Sequence, residues 1–122
     1  MVGLELVTIF QYFHFKYFTY NNLHPRHVLL GKGEKFNQFF LIDFSRACRY
    51  KDAQTAEHIP LPNERASEMR VHNLEFSSVN FQKGVMPSRR DDMESLLYLI
   101  LFLLRGELPW SGEVRNLKKT DF

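Results

Sequence analysis

Leu4, Val7, Phe10, Phe13 and Tyr17 recur at steps of three and four, with Glu5, Gln11, His14 and Lys16 between them. That period predicts an amphipathic helix over residues 2–17. Asn21-Asn22 signals a loop, and Pro25 keeps His24 out of helical geometry. Val28-Leu29-Leu30 and Phe39-Phe40-Leu41-Ile42 read as two short strands around a Gly31-Lys32-Gly33 turn, a hairpin over residues 28–42. Between Asp43 and Asn80 no period is sustained. Pro60, Pro62 and mixed charges there predict a long ordered loop, a feature usually tied to function. A second helix is predicted over residues 90–105. Ser88 is its candidate N-cap, and Asp91, Asp92 and Glu94 complement the positive end of the helix dipole. Gly106 is its C-cap, and Pro109 stops continuation. From Leu96 to Leu104 this helix is apolar on every face, which predicts that protein surrounds it. The run is far short of the about 20 residues that a membrane span needs.

Composition narrows this picture. The chain has 122 residues, 44% hydrophobic and 25% charged, enough for one small globular domain. Its 12 phenylalanines call for cover, because exposed ones promote aggregation. A net charge of +2 is too small to argue for nucleic acid, and the basic run from Arg115 to Lys119 reads as a solvated end. The single cysteine, Cys48, rules out an internal disulfide and a multi-cysteine zinc site. Residues 1–10 carry no basic segment or cleavage site of a secretory signal. Together these lead one to expect an intracellular protein, cytoplasmic or nuclear.

The order of elements, with several motifs, resembles the C-terminal lobe of a protein kinase of the casein kinase 1 group. Gln11-Tyr12-Phe13-His14-Phe15-Lys16 is similar to the family's E-Y-x-H-S-K, and Leu41-Ile42-Asp43-Phe44-Ser45 to its I-I-D-F-G. Arg49-Tyr50-Lys51-Asp52-Ala53-Gln54-Thr55 with His58-Ile59-Pro60 resembles K-Y-R-D-x-x-T-x-x-H-I-P. Ser78-Val79-Asn80 matches that group's S-I-N, and Leu108-Pro109-Trp110 its L-P-W. Most specific is Ser88-Arg89-Arg90-Asp91-Asp92-Met93-Glu94-Ser95-Leu96, nearly S-R-R-D-D-L-E-S-L. Leu74-Glu75-Phe76-Ser77-Ser78 is closer to the vaccinia-related kinases, which carry an acidic residue there. The resemblance covers nearly the whole chain. It implies an α+β fold, mainly α. The catalytic-loop equivalent would lie at 18–27, the activation-segment equivalent at 43–80, and the hairpin would carry the flanking segments.

Phosphoryl transfer rests on positioning and charge stabilisation. Alignment on Pro25 places Tyr20-Asn21-Asn22-Leu23-His24-Pro25-Arg26-His27 over the family's H-R-D-I-K-P-D-N. Asn22 then replaces the catalytic Asp, and an amide is no base at neutral pH. His24 replaces the phosphate-contacting Lys and carries charge only near or below a pKa of about 6.5. His27 replaces the magnesium-binding Asn, although magnesium prefers oxygen ligands. Asp43 remains as a possible magnesium ligand, or equally as a loop Asp bonding local backbone. Ser45 in place of glycine predicts a less mobile turn. Asp92 is implied to bond the catalytic-loop backbone, an architectural role. Arg89 and Arg90 either pair with acidic neighbours or stay solvated, the latter being favoured. Val71-His72-Asn73 stands where the family has T-G-T. A zinc site using His14, Asn22, His24 and His27 is a minor alternative.

The sequence contains no G-x-G-x-x-G loop. The resemblance therefore implies a partial kinase domain, either a fragment or a remnant. The expected function is that of a casein kinase 1-type pseudokinase or kinase fragment that binds a protein partner or substrate. By family it is a serine/threonine phosphotransferase, but inactive as this chain stands. The alternative is part of an active kinase whose N-lobe lies outside this chain, and only then would ATP and magnesium be cofactors. Docking faces are expected along residues 43–80 and around Trp110, with no nucleic acid and no membrane span.

Overall fold

The computed structural model describes the backbone of residues 2–59 and 73–120, and the side chains of residues 3–59 and 73–115. Helix α1 spans Val2–Phe15. Leu6 and Phe10, one turn apart, are fully buried on it, and Ile9 and Phe13 pack beside them. The buried stripe is thus displaced from the predicted one, for Leu4 is 68% exposed. This helix is apolar enough for several stripes to fit the period, and the partner helix selects among them. It also stops two residues earlier than expected, because Tyr17 turns left-handed at φ 74°. The Tyr50 hydroxyl donates to the His14 carbonyl and so satisfies a terminal group that the helix leaves unpaired.

The turn at Tyr17 feeds strand β1 (Phe18–Thr19). Strand β2 (Val28–Leu30) and strand β3 (Phe39–Leu41) form the expected antiparallel hairpin, with Val28 opposite Leu41 and Leu30 opposite Phe39. Gly31 is required at its turn, where a Cβ would lie 2.2 Å from the Lys35 carbonyl oxygen.

The segment after Asp43 is more regular than a loop. Strand β4 (Cys48–Arg49) pairs antiparallel with β1, Thr19 opposite Cys48. The Tyr50 N–H donates to the Tyr17 carbonyl at 2.8 Å, and Lys51 bridges to His58. Residues 60–72, which include Pro60, Pro62, Val71 and His72 of the expected loop, lie outside the described residues. The chain is next described at Asn73 and forms the short helix α2 (Val79–Gln82).

Helix α3 (Arg89–Arg105) begins at the predicted cap. The Ser88 N–H donates to the Asp91 carboxylate at 2.7 Å, half of a capping box. It ends on Gly106 at φ 83°, the left-handed conformation that glycine adopts without steric cost. Leu96 and Leu99 enter a core with Leu6, Phe10, Tyr20, Leu23, Phe76 and Leu108. Among the described residues, though, α3 is covered on one side only, and Leu104 is 78% exposed. The expectation of a fully enclosed helix does not hold here. The basic run expected as a solvated end lies within another helix, α4 (Ser111–Thr120). The fold is α+β and mainly α: four helices and two small antiparallel sheets among the described residues. No helix among them is long and apolar enough to cross a membrane.

The core and the exposed face of α3 differ enough to test by substitution. Leu99→Ala, at a site 1% exposed, is expected to cost about 2–5 kcal/mol in urea unfolding. Leu104→Ala is expected to stay within about 0.5 kcal/mol of the parent.

Candidate functional site

The first two turns of α3 carry three carboxylates that reach into different segments. Asp92 is 2% exposed. Its Oδ2 accepts the Tyr20 N–H at 2.8 Å and lies 2.8 Å from His14 Nε2. Its Oδ1 accepts the Asn21 N–H at 2.9 Å. Asp91 accepts the Ser78 hydroxyl at 2.5 Å as well as the Ser88 N–H, and Glu94 accepts the Val79 N–H at 2.8 Å. Backbone donors and carboxylates are complementary at this positive helix end, which explains why three acids gather there.

Held by Asp92, residues 20–27 wrap one side of a polar cleft of about 300 Å³. Asn21 sits left-handed at φ 65°, and its amide donates to the Arg46 carbonyl at 3.0 Å. The Tyr20 ring packs in the core, and its hydroxyl donates to the Ile42 carbonyl. Burial, with the charges of Asp43 and Asp92, pushes that phenol well above its ordinary pKa.

The cleft brings together Asn22, His24, His27 and Asp43. Asn22 is buried, 7% exposed, and its carbonyl lies 2.7 Å from His27 Nδ1. A carbonyl only accepts, so Nδ1 carries a hydrogen and the neutral ring presents a bare Nε2. That atom stands 3.6 Å from Asp43 Oδ2, an attractive pair when the ring is imidazolium. His24 differs. Its Nδ1 accepts the Arg26 N–H at 3.0 Å and caps the short 3₁₀ turn Pro25–His27. An accepting nitrogen bears no proton, so this cap uses the ring with Nδ1 unprotonated, and a proton on Nδ1 would break it. Its ring lies edge-on to Phe76, centroids 5.2 Å apart.

Asp43, at φ 61°, bonds Ser45 through Oδ1, taking the hydroxyl at 2.5 Å and the N–H at 3.2 Å. Those two bonds, and more weakly His27 and Asn22, hold its carboxyl below the ordinary aspartate range. Asp43 thus bonds the local backbone at Ser45, which ties the turn. A magnesium ion fits this donor set poorly. It seeks an octahedron of oxygens, whereas here one carboxylate oxygen is committed to Ser45 and the other faces an imidazole. No group of three or more His, Cys, Asp or Glu gathers as a metal site among the described residues. His14, part of the zinc alternative, is taken by Asp92.

The remaining expected residues lie apart from the cleft. Trp110 is half-buried. Its indole N–H donates to the Glu75 carbonyl at 2.7 Å, and its ring meets Tyr98 edge-on at 4.9 Å. The Glu75 side chain accepts from Ser111, which pins residues 108–111 onto the segment before α2. Arg89 is not simply solvated: its guanidinium lies 4.6 Å from the Tyr50 ring centroid. Arg90 is exposed, with Nε 3.4 Å from the Ser88 hydroxyl. Sequence reasoning missed Tyr50, Glu75 and the His14–Asp92 bond. Tyr50 had a signal in its motif, but nothing local marked its partner. No known protein-family model matches the chain.

Two outcomes follow from this geometry. Asp92→Ala orphans the buried Tyr20 N–H and the half-buried Asn21 N–H and is expected to cost about 3–5 kcal/mol in chemical denaturation, with Asp92→Asn less damaging because it keeps an acceptor. For Asp43 the lowered carboxyl contributes stability above the ordinary aspartate range and loses it as pH falls through the lowered value. Carboxyl carbon NMR should place its midpoint below that of a free aspartate, and Ser45→Ala should move it upward.

Proposed function

We propose that this chain is a casein kinase 1-like pseudokinase or kinase fragment that acts by binding protein and does not transfer phosphate. The observation carrying this reading is the contrast between frame and chemistry in residues 20–27. Asp92 anchors the loop backbone in the manner the sequence resemblance implies. The groups presented at the expected catalytic positions are a buried amide, Asn22, and an imidazole, His24. A hydroxyl nucleophile needs a group that accepts its proton, and an amide does not. A γ-phosphate needs a cation beside it, and His24 gives up that role to cap a turn.

One observation favours the alternative, a piece of an active kinase whose N-lobe lies outside this chain. Asp43 keeps a carboxylate at the mouth of the cleft. Thermal shift with ATP separates the two readings. The natural chain should show no stabilisation with or without magnesium. Ligand at about 100 times its dissociation constant would add about 2.7 kcal/mol, several degrees for a domain this size. A shift only after Asn22→Asp, His24→Lys and His27→Asn together would mean that the substitutions disabled the site. Phosphorylation of casein by the natural chain, abolished by Asp43→Ala, would overturn the pseudokinase reading.

A further inference from the structure

A second cavity, also about 300 Å³, lies away from the polar cleft, where β4, the bridge at His58 and the start of α3 meet. Its floor and walls are Tyr50, Ile59, Met86 and Pro87, and its lining includes Arg89 and Arg90. Among the described residues, no Asp or Glu lines it. The carboxylates that follow in the chain are turned inward: Asp91 bonds Ser78 and Ser88, and Asp92 bonds Tyr20, Asn21 and His14. None of the ion pairs among the described residues includes Arg89 or Arg90.

The way these cations are held matters. Arg89 lies over the Tyr50 ring, its guanidinium carbon 4.6 Å from the ring centroid. A guanidinium has five N–H donors, so one held over a ring still has donors to offer carboxylate or phosphate oxygens. Tyr50 is itself fixed through its hydroxyl bond to the His14 carbonyl. Nearby, Arg49 lies over Phe18 at 5.0 Å and Lys51 over Tyr17 at 5.5 Å. Arg49 also lines the cavity. Arg89 and Arg90, adjacent at the start of α3 and in no ion pair among the described residues, are the pair assigned to a ligand anion.

We infer that this cavity binds a small amphipathic anion, a compact apolar body bearing one carboxylate or phosphate head. The body would lie against Ile59, Met86 and Pro87, and the head would meet Arg89 and Arg90. The volume sits at the small end of ligand sites, which run roughly 300–1,000 Å³ with apolar walls and few polar groups. A long polyanion fits less well, because a net charge of +2 supplies no extended basic track. This assignment stands independently of the kinase-like reading, since it uses none of the cleft residues.

Titration calorimetry and amide NMR of the 122-residue chain with octanoate, 2-naphthoate and naphthyl phosphate, against 2-naphthylmethanol, test it. At least one anion should bind saturably at one site, with shifts at Tyr50, Ile59 and Arg89. The neutral alcohol and the Arg89→Glu/Arg90→Glu variant should each bind about tenfold more weakly or worse. Both arginines are exposed, so circular dichroism should show the variant folded. Met86→Trp, which fills the cavity and leaves the charges, should also block binding. The assignment fails if no anion binds, if the alcohol binds as well as the acids, or if the double arginine variant binds unchanged. Tighter binding of an acidic peptide through the same arginines would overturn it as well. Carboxylate against phosphate preference identifies the head group.

Discussion

The Asp92 carboxylate, buried at the start of α3, is the interaction on which the rest of the site depends. It takes two backbone N–H groups from Tyr20 and Asn21 and meets the His14 imidazole, so one side chain joins α1, the loop that follows it and α3. A buried charge is tolerated only when its oxygens are satisfied, and here both are. Asp91 and Glu94 extend the same device to Ser78, Ser88 and Val79. The helix end thus organises three stretches of chain that have little secondary structure of their own.

What that frame displays is chemically mild. Each histidine of the cleft has a structural bond that orients its ring: His24 caps a turn through Nδ1, and His27 meets the Asn22 carbonyl. Asp43 is occupied by Ser45 and approached by His27. These are the bonds of a site fixed in place, with an amide, Asn22, where the resemblance implies a carboxylate base. Among the described residues, the same bonding of acids to backbone leaves Arg89 and Arg90 outside any ion pair.

Features written in neighbouring residues were legible from the chain. The hairpin follows from its strand residues and the glycine turn, and α3 is bracketed by Ser88 and Gly106, whose conformations serve caps. The cluster of Asn22, His24, His27 and Asp43 was also within reach, because three of the four belong to one short loop. Less legible was anything chosen by a distant partner. The inward face of α1 was only partly legible: Phe10 and Phe13 face the core as expected, but packing on α3 brings in Leu6 in place of Leu4 and Val7, because the apolar residues fit several stripes. Strand β4 was missed because two residues carry no period, and only pairing with β1 makes them a strand.

The amino-acid sequence by itself determined where helices start and stop, where the hairpin turns, and that an amide and two imidazoles occupy the loop around Pro25. Those depend on caps, glycines and side-chain chemistry, which act over a few residues. Tertiary structure alone decided the burial of Asp92 and the placing of Arg89 over Tyr50. The His14 partner of Asp92 lies 78 residues away in the chain, beyond the reach of any local pattern. Such bonds exist only once the fold has brought their two ends together and removed the water between them.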